Sequence, residues 1–228
     1  ANVAALSTSQ VNHMTTDQVA SMSAVQVKAL SKAQVTALNS DQVSNLTTTQ
    51  VASMLGVQVS AIETDDLQHM TASQVAAFTT EQMKALTTAQ VSKMTTAQVA
   101  ALTKDEVAGF TTAQVRALTT SQVGVITSAA LASLTTDQLA GFDTTQVSKL
   151  TTEQTQALTA KQVASLSSSQ LNALTSTQVQ ALNDTQVKAL TTGQVNALST
   201  TQVAALTTAQ VAGMESVDVA ALTSTQAN

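Results

Sequence analysis

The 228-residue sequence contains no cysteine, proline, tryptophan or tyrosine, and only three phenylalanines and six glycines. Without cysteine there is no disulfide and no thiolate metal ligand, and the redox state of the compartment leaves no mark on the chain. With aromatic side chains confined to Phe78, Phe110 and Phe142, no platform exists for stacking nucleic-acid bases. Charged residues make up 10% and the formal net charge is −5, so there is no basic patch for nucleic acid or anionic lipid. No apolar run approaches the roughly 20 residues of a membrane span, and no basic-then-apolar leader is present. Nucleophile elbows, phosphate loops and paired-carboxylate motifs are also missing. Scarce aromatics would suit a disordered chain, but 43% apolar content with regular valine and leucine placement argues for a packed core.

What the sequence does have is a period of eight. Counting from Ser7, 27 complete octads run to Leu222. Residues 1–6 (ANVAAL) fit the last six positions of an earlier octad, and residues 223–228 (TSTQAN) the first six of a later one. The expectation is one continuous array over residues 1–228, excerpted from a longer chain.

Position eight is always apolar: Leu, Met, Ile or Phe. Position five is Val, Leu or Met except at Thr155 and Ala227. Position four is Gln, apart from Asp66, Glu106, Ala130 and Asp218. Position seven is mostly Ala, Ser or Gly, and position one is Thr, Ser, Asn or Asp except at Leu55, Glu63 and Glu215.

One long helix does not fit this pattern. Eight residues advance about 800°, some 80° past two turns, so the apolar stripe would spiral away from any single core. A coiled coil needs a period near 3.5, not 4.0. In a strand, positions five and eight would point to opposite faces. A series of short helices fits every position. Thr at position one is an N-cap, and Gln at position four is N3, which completes a Thr-x-x-Gln capping box. The preceding Leu and the Val at position five are N′ and N4, the partners of a hydrophobic staple.

Charge placement agrees. All fourteen acidic residues fall in positions one to four, among them Asp17, Asp41, Glu81, Asp105, Asp137 and Glu153 at position three. Six of the nine basic residues, including Lys28, Lys84, Arg116 and Lys188, fall in positions six and seven. A helix dipole favours that order by about 0.3–1 kcal/mol per charge.

The predicted fold is therefore all-α: a solenoid of very short helices, about two turns each, one per octad. Isolated helices this short are marginal in water, so stability must come from packing between octads. Phe78, Phe110 and Phe142 are spaced 32 residues apart, which suggests four octads per superhelical turn. Gly109 and Gly141 precede two of these rings and Ala77 the third, which suggests volume compensation within a stacked column. Glu would serve a capping box as well as Gln does. The use of Gln predicts partly buried ladders in which amides donate and accept along the column, the alternative being that Gln only caps.

Few residues offer chemistry. His13 and His69 share position seven, seven octads apart, with no cluster of ligands around either. Glu63, Asp65 and Asp66 form the densest acidic spot, but lack the alternating oxygen ligands and glycine turn of a calcium loop. Residues 55–66 (LGVQVSAIETDD) depart most from the repeat, which reads as repeat drift or, as the alternative, a local bend or contact point. The glycosylation triplets at Asn45 and Asn183 are chance-level matches in a threonine-rich chain. No catalytic, cofactor-binding or metal residue is expected, and no cofactor.

Stretches such as TTAQVAAL (95–102), TTDQVASM (15–22) and TSTQVQAL (175–182) resemble the octapeptide arrays of very large, repetitive bacterial proteins, secreted or surface-associated and adhesin-like. The resemblance covers the whole chain. It implies an extracellular or cell-surface setting and a structural role as rod, stalk or fibre, with self-association as the expected partnership. The alternative it leaves is a repetitive binding surface for a glycan, a peptide, another surface protein or ice. Enzymatic activity is not expected.

Overall fold

A computed structural model describes residues 3–222 and Gln226. The unusual position-five residue Ala227 lies outside the described residues. Among the described residues there are 27 α-helices and no strand. The helices run from Thr8–Asn12 to Ser216–Ala221, one per octad, and a 3-10 turn at Val3–Ala5 precedes them. We number the octads from Ser7–Met14 (octad 1) to Glu215–Leu222 (octad 27).

The helices are shorter than two turns. They span four to six residues, as in Thr120–Val123 and Thr88–Lys93. Positions eight and one account for the difference, because both are extended. Leu86 has φ −57° and ψ 137°, and the following N-cap Thr87 has φ −72° and ψ 157°. Two extended residues thus make each corner. No residue with positive φ is found among the described residues, so none of their corners needs glycine.

Most helices start by the predicted reciprocal device. The Thr87 backbone N–H donates to Gln90 Oε1 at 2.8 Å, and the Gln90 N–H donates to Thr87 Oγ1 at 3.1 Å. Asn39 and Asp143 fill the same role with their own side-chain oxygens. Between them these bonds occupy donors that a short helix would otherwise leave unmet at its first turn.

The core is the meeting of positions five and eight. Val51, Val91, Val163 and Leu171 are fully buried, and Leu102, Leu118, Leu174 and Met94 nearly so. Burying each such side chain is worth about 1.5–3 kcal/mol. That gain, rather than intrinsic helix propensity, holds helices of this length.

The chain forms two compact units, Ala1–Leu118 and Thr119–Asn228. Within the first, each helix packs on the third one along: Thr8–Asn12 on Lys32–Thr36, and Ser40–Ser44 on Thr64–His69. Within the second, Ser128–Ala132 packs on Thr152–Ala157, and Ser176–Ala181 on Thr200–Ala205. Side-chain contacts show how the register works. Ser53, at position seven of octad 6, donates from Oγ to the Ala24 carbonyl, at position two of octad 3, at 3.2 Å. A Cβ on Gly56, at position two of octad 7, would come within 2.9 Å of Ala85 Cβ, at position seven of octad 10. Position seven is small because position two of the helix three octads earlier lies against it.

The same register holds at Gly109, at position seven of octad 13. Beside Gly109 stands Thr80, whose Cγ2 would lie 2.9 Å from an added Cβ. The four-octad spacing has its own physical basis, in the glutamine hydrogen bonds described next. With helices stacked three octads apart and glutamines reaching four, one layer closes between three and four octads.

Candidate functional site

The repeated polar feature of the interior is the position-four glutamine. Gln90 is almost fully buried. Its Oε1 is committed to the cap of its own helix, and its Nε2 donates to the Val59 carbonyl at 2.9 Å and the Ile62 carbonyl at 2.7 Å. Those carbonyls belong to positions five and eight of the octad four earlier. The same pair of bonds joins Gln42 to Val11 and Met14, Gln82 to Val51 and Met54, and Gln98 to Leu67 and Met70. In the second unit it joins Gln154 to Val123 and Ile126, and Gln210 to Val179 and Leu182. The amide is used completely: one acceptor within the octad, two donors between layers.

The predicted burial of glutamine is therefore present, but the partner differs. The amides do not bond one another in a column. Each carbonyl is turned inward to its own cap, so each NH2 meets backbone. The ladder is side chain to main chain. Glutamate could complete the cap but has no N–H to offer the layer behind, which explains the choice of amide.

Position-four exceptions show how the seam is rebuilt or left open. Asp66 is too short to reach octad 4 and instead accepts from Ser40 Oγ at 2.7 Å, at position two of the octad three earlier. Asp218 repeats this with Thr192 Oγ1 at 3.0 Å. Both octads also carry glutamate as N-cap, Glu63 and Glu215, and neither makes a side-chain cap hydrogen bond. The shared E-x-x-D pattern in these two octads is a signal that sequence reasoning missed. Ala130 keeps only half a box, its N–H donating to Thr127 Oγ1 at 3.3 Å. Glu106 keeps the other half, its Oε2 accepting from the Thr103 N–H at 2.6 Å.

The residues singled out for chemistry have local roles. His13 Nδ1 lies 2.7 Å from the Ser9 carbonyl, and His69 Nδ1 lies 2.7 Å from the Asp65 carbonyl, each four residues back on its own helix. His13, Asn39, Ser40, Glu63 and Asp66 line one surface groove of about 500 Å³. Among the described residues no three His, Cys, Asp or Glu side chains form a group that could hold a metal ion. The departure at 55–66 does not break the register: Gly56–Val59 is helical, and Gln58 ties to Val27 and Leu30 as elsewhere. Thr155, the polar residue at a core position, is fully buried and donates from Oγ1 to the Thr151 carbonyl at 2.8 Å. Asn45 and Asn183 are exposed, and both are engaged at helix ends.

Electrostatics are weak. Lys84 and Glu81 pair at 3.2 Å on an exposed surface, where such a bridge is worth about 0–1 kcal/mol. The Glu153 carboxyl is held below the usual carboxylate range by a backbone hydrogen bond at its own residue, with help from the Thr151 and Thr152 side chains. No helix among the described residues is long and apolar enough to cross a membrane.

The ALTTAQ repeat family matches residues 59–96, 83–112, 99–136 and 184–216, together just under half of the chain. These overlapping matches make the chain a tandem repeat array similar to that family. No curated protein matches the chain at a significant level.

Proposed function

We propose that this chain is a non-enzymatic structural segment of an extracellular or cell-surface protein, serving as a spacer in a rod, stalk or fibre and associating with its own copies. The observation that carries this reading is the use made of the glutamine amides. The polar group repeated through the interior is spent on construction, at the cap on one side and at the layer behind on the other. Each octad meets near neighbours only, so length is free to vary without redesign.

Self-association is supported by apolar side chains left on the surface. Val25 and Val57 are 78% and 62% exposed, and Leu55 is 43% exposed. Val25 and Val57 share position three of two octads that Gln58 joins directly.

Two measurements test the reading. Surface labelling of cells producing the parent protein is expected to reach this segment; protection inside intact cells would refute the location. Sedimentation of the purified chain is expected to show association that rises with concentration and falls in Val25→Ser/Val57→Ser. A monomer at all concentrations would refute self-association, and saturable glycan binding would replace the passive role with a recognition role.

A further inference from the structure

Octad 13 (Thr103–Phe110) has no tie to the layer behind it. Glu106 is 9% exposed, and its Oε2 takes the Thr103 N–H at 2.6 Å, the place that glutamine Oε1 fills elsewhere. In neighbouring octads the second amide atom, Nε2, reaches the carbonyls four octads back; here the second atom is an oxygen, and the matching carbonyls are those of Val75 and Phe78 in octad 9. An oxygen there offers those carbonyls no N–H. The Val75 carbonyl still accepts from the Phe78 N–H at 3.1 Å, whereas no donor reaches the Phe78 carbonyl.

The aspartate octads avoid this by turning to a hydroxyl three octads earlier. Octad 13 has Thr80 at that register, but the Thr80 methyl faces Gly109, and no hydrogen bond links Thr80 to Glu106. On either side the ties are intact: Gln98 of octad 12 reaches Leu67 and Met70, and Gln114 of octad 14 reaches Met83 and Leu86.

We infer that the seam between octads 9 and 13 is a built-in opening point, where residues 1–118 part before any other internal layer. That unit then yields at a set place instead of unravelling along its length. This rests on hydrogen bonding within the unit and not on where the protein acts, so its failure would be distinct from failure of the spacer reading.

Hydrogen exchange followed by mass spectrometry on the whole chain tests it. The amides of Val107, Gly109 and Phe110, bonded to Thr103, Asp105 and Val107, are expected to exchange about tenfold faster than the matching amides of octad 12, Val99, Ala101 and Leu102. Glu106→Gln restores both donors and is expected to bring octad 13 level with octad 12. Gln98→Glu is expected to transfer fast exchange to octad 12. Helix weakness caused by Gly109 would persist in Glu106→Gln. Equal protection of octads 12 and 13 in the unaltered chain, or fast octad 13 exchange unchanged by Glu106→Gln, would overturn the inference.

Discussion

Replacing Gln90 with glutamate separates the two duties of the repeated amide. The new side chain has nearly the same shape and still accepts the Thr87 N–H. It loses the bonds to the Val59 and Ile62 carbonyls. The two losses are unequal. The Val59 carbonyl keeps its bond from the Ile62 N–H at 3.2 Å, so only a second bond is lost there, costing about 1 kcal/mol. The Ile62 carbonyl is left without a donor, which costs about 1–3 kcal/mol. The expected destabilisation is thus about 2–4 kcal/mol, before any penalty for burying the carboxyl group. Burial raises the folded-state pKa of the new glutamate above its unfolded value near about 4.3. The deficit should therefore be full at neutral pH and shrink as pH falls through the raised value, where the protonated carboxyl regains a donor. Urea unfolding followed by circular dichroism at pH 7 and pH 4 measures this. Amide exchange in octads 7 and 11 gives the local reading, since repeat arrays need not unfold in one step. A Gln90→Glu chain as stable as the parent, with no pH dependence of the difference, would show that glutamine only caps.

Other substitutions read other contacts. Gly109→Ala should destabilise by about 1–3 kcal/mol, because the new Cβ meets Thr80 Cγ2 at 2.9 Å and two carbonyl oxygens at 3.1 Å. Gly193→Ala should stabilise by about 0.5–1 kcal/mol, since its nearest neighbour is Thr191 Oγ1 at 4.0 Å; thermal unfolding of the pair should give shifts of opposite sign. Thr155→Val removes a hydroxyl bonded to the Thr151 carbonyl and restores the usual core residue, so melting should move by no more than about 1 kcal/mol equivalent. Glu153 should titrate below an ordinary glutamate by NMR, and Thr152→Val should move it back part of the way. Because this pKa is depressed on folding, any stability it lends is present at neutral pH and lost as pH falls through the folded value.

Much of this architecture was legible from residues alone. Thr at N-cap, Gln at N3 and the segregation of Asp17 from Lys28 along their octads are local signals, and local signals fix where a helix starts and which end is which. The layer register was not legible in the same way. The destination of Gln42 Nε2, at Val11 and Met14, depends on how far one turn of the superhelix travels, which no single octad encodes. The phenylalanine spacing captured only the longer of two registers, because helix packing and hydrogen bonding reach different neighbours. Position seven was read correctly as small, while its partner, position two of the third octad back, emerged only in three dimensions. The Glu63/Asp66 and Glu215/Asp218 pairs were visible as repeated text, but their hydroxyl partners were not.

The corners built from two extended residues bear on how such a chain changes over generations. Among the described residues no reversal depends on a left-handed glycine, and intact octads offer the next layer the same two carbonyls. A replication slip that copies or drops a multiple of eight codons leaves each surviving glutamine an equivalent acceptor pair. A slip of any other number of codons breaks the octad in which it falls, and with it the fixed reach from glutamine to the carbonyls four octads back. Selection on such a gene would therefore see the reading frame of the period far more sharply than the number of copies.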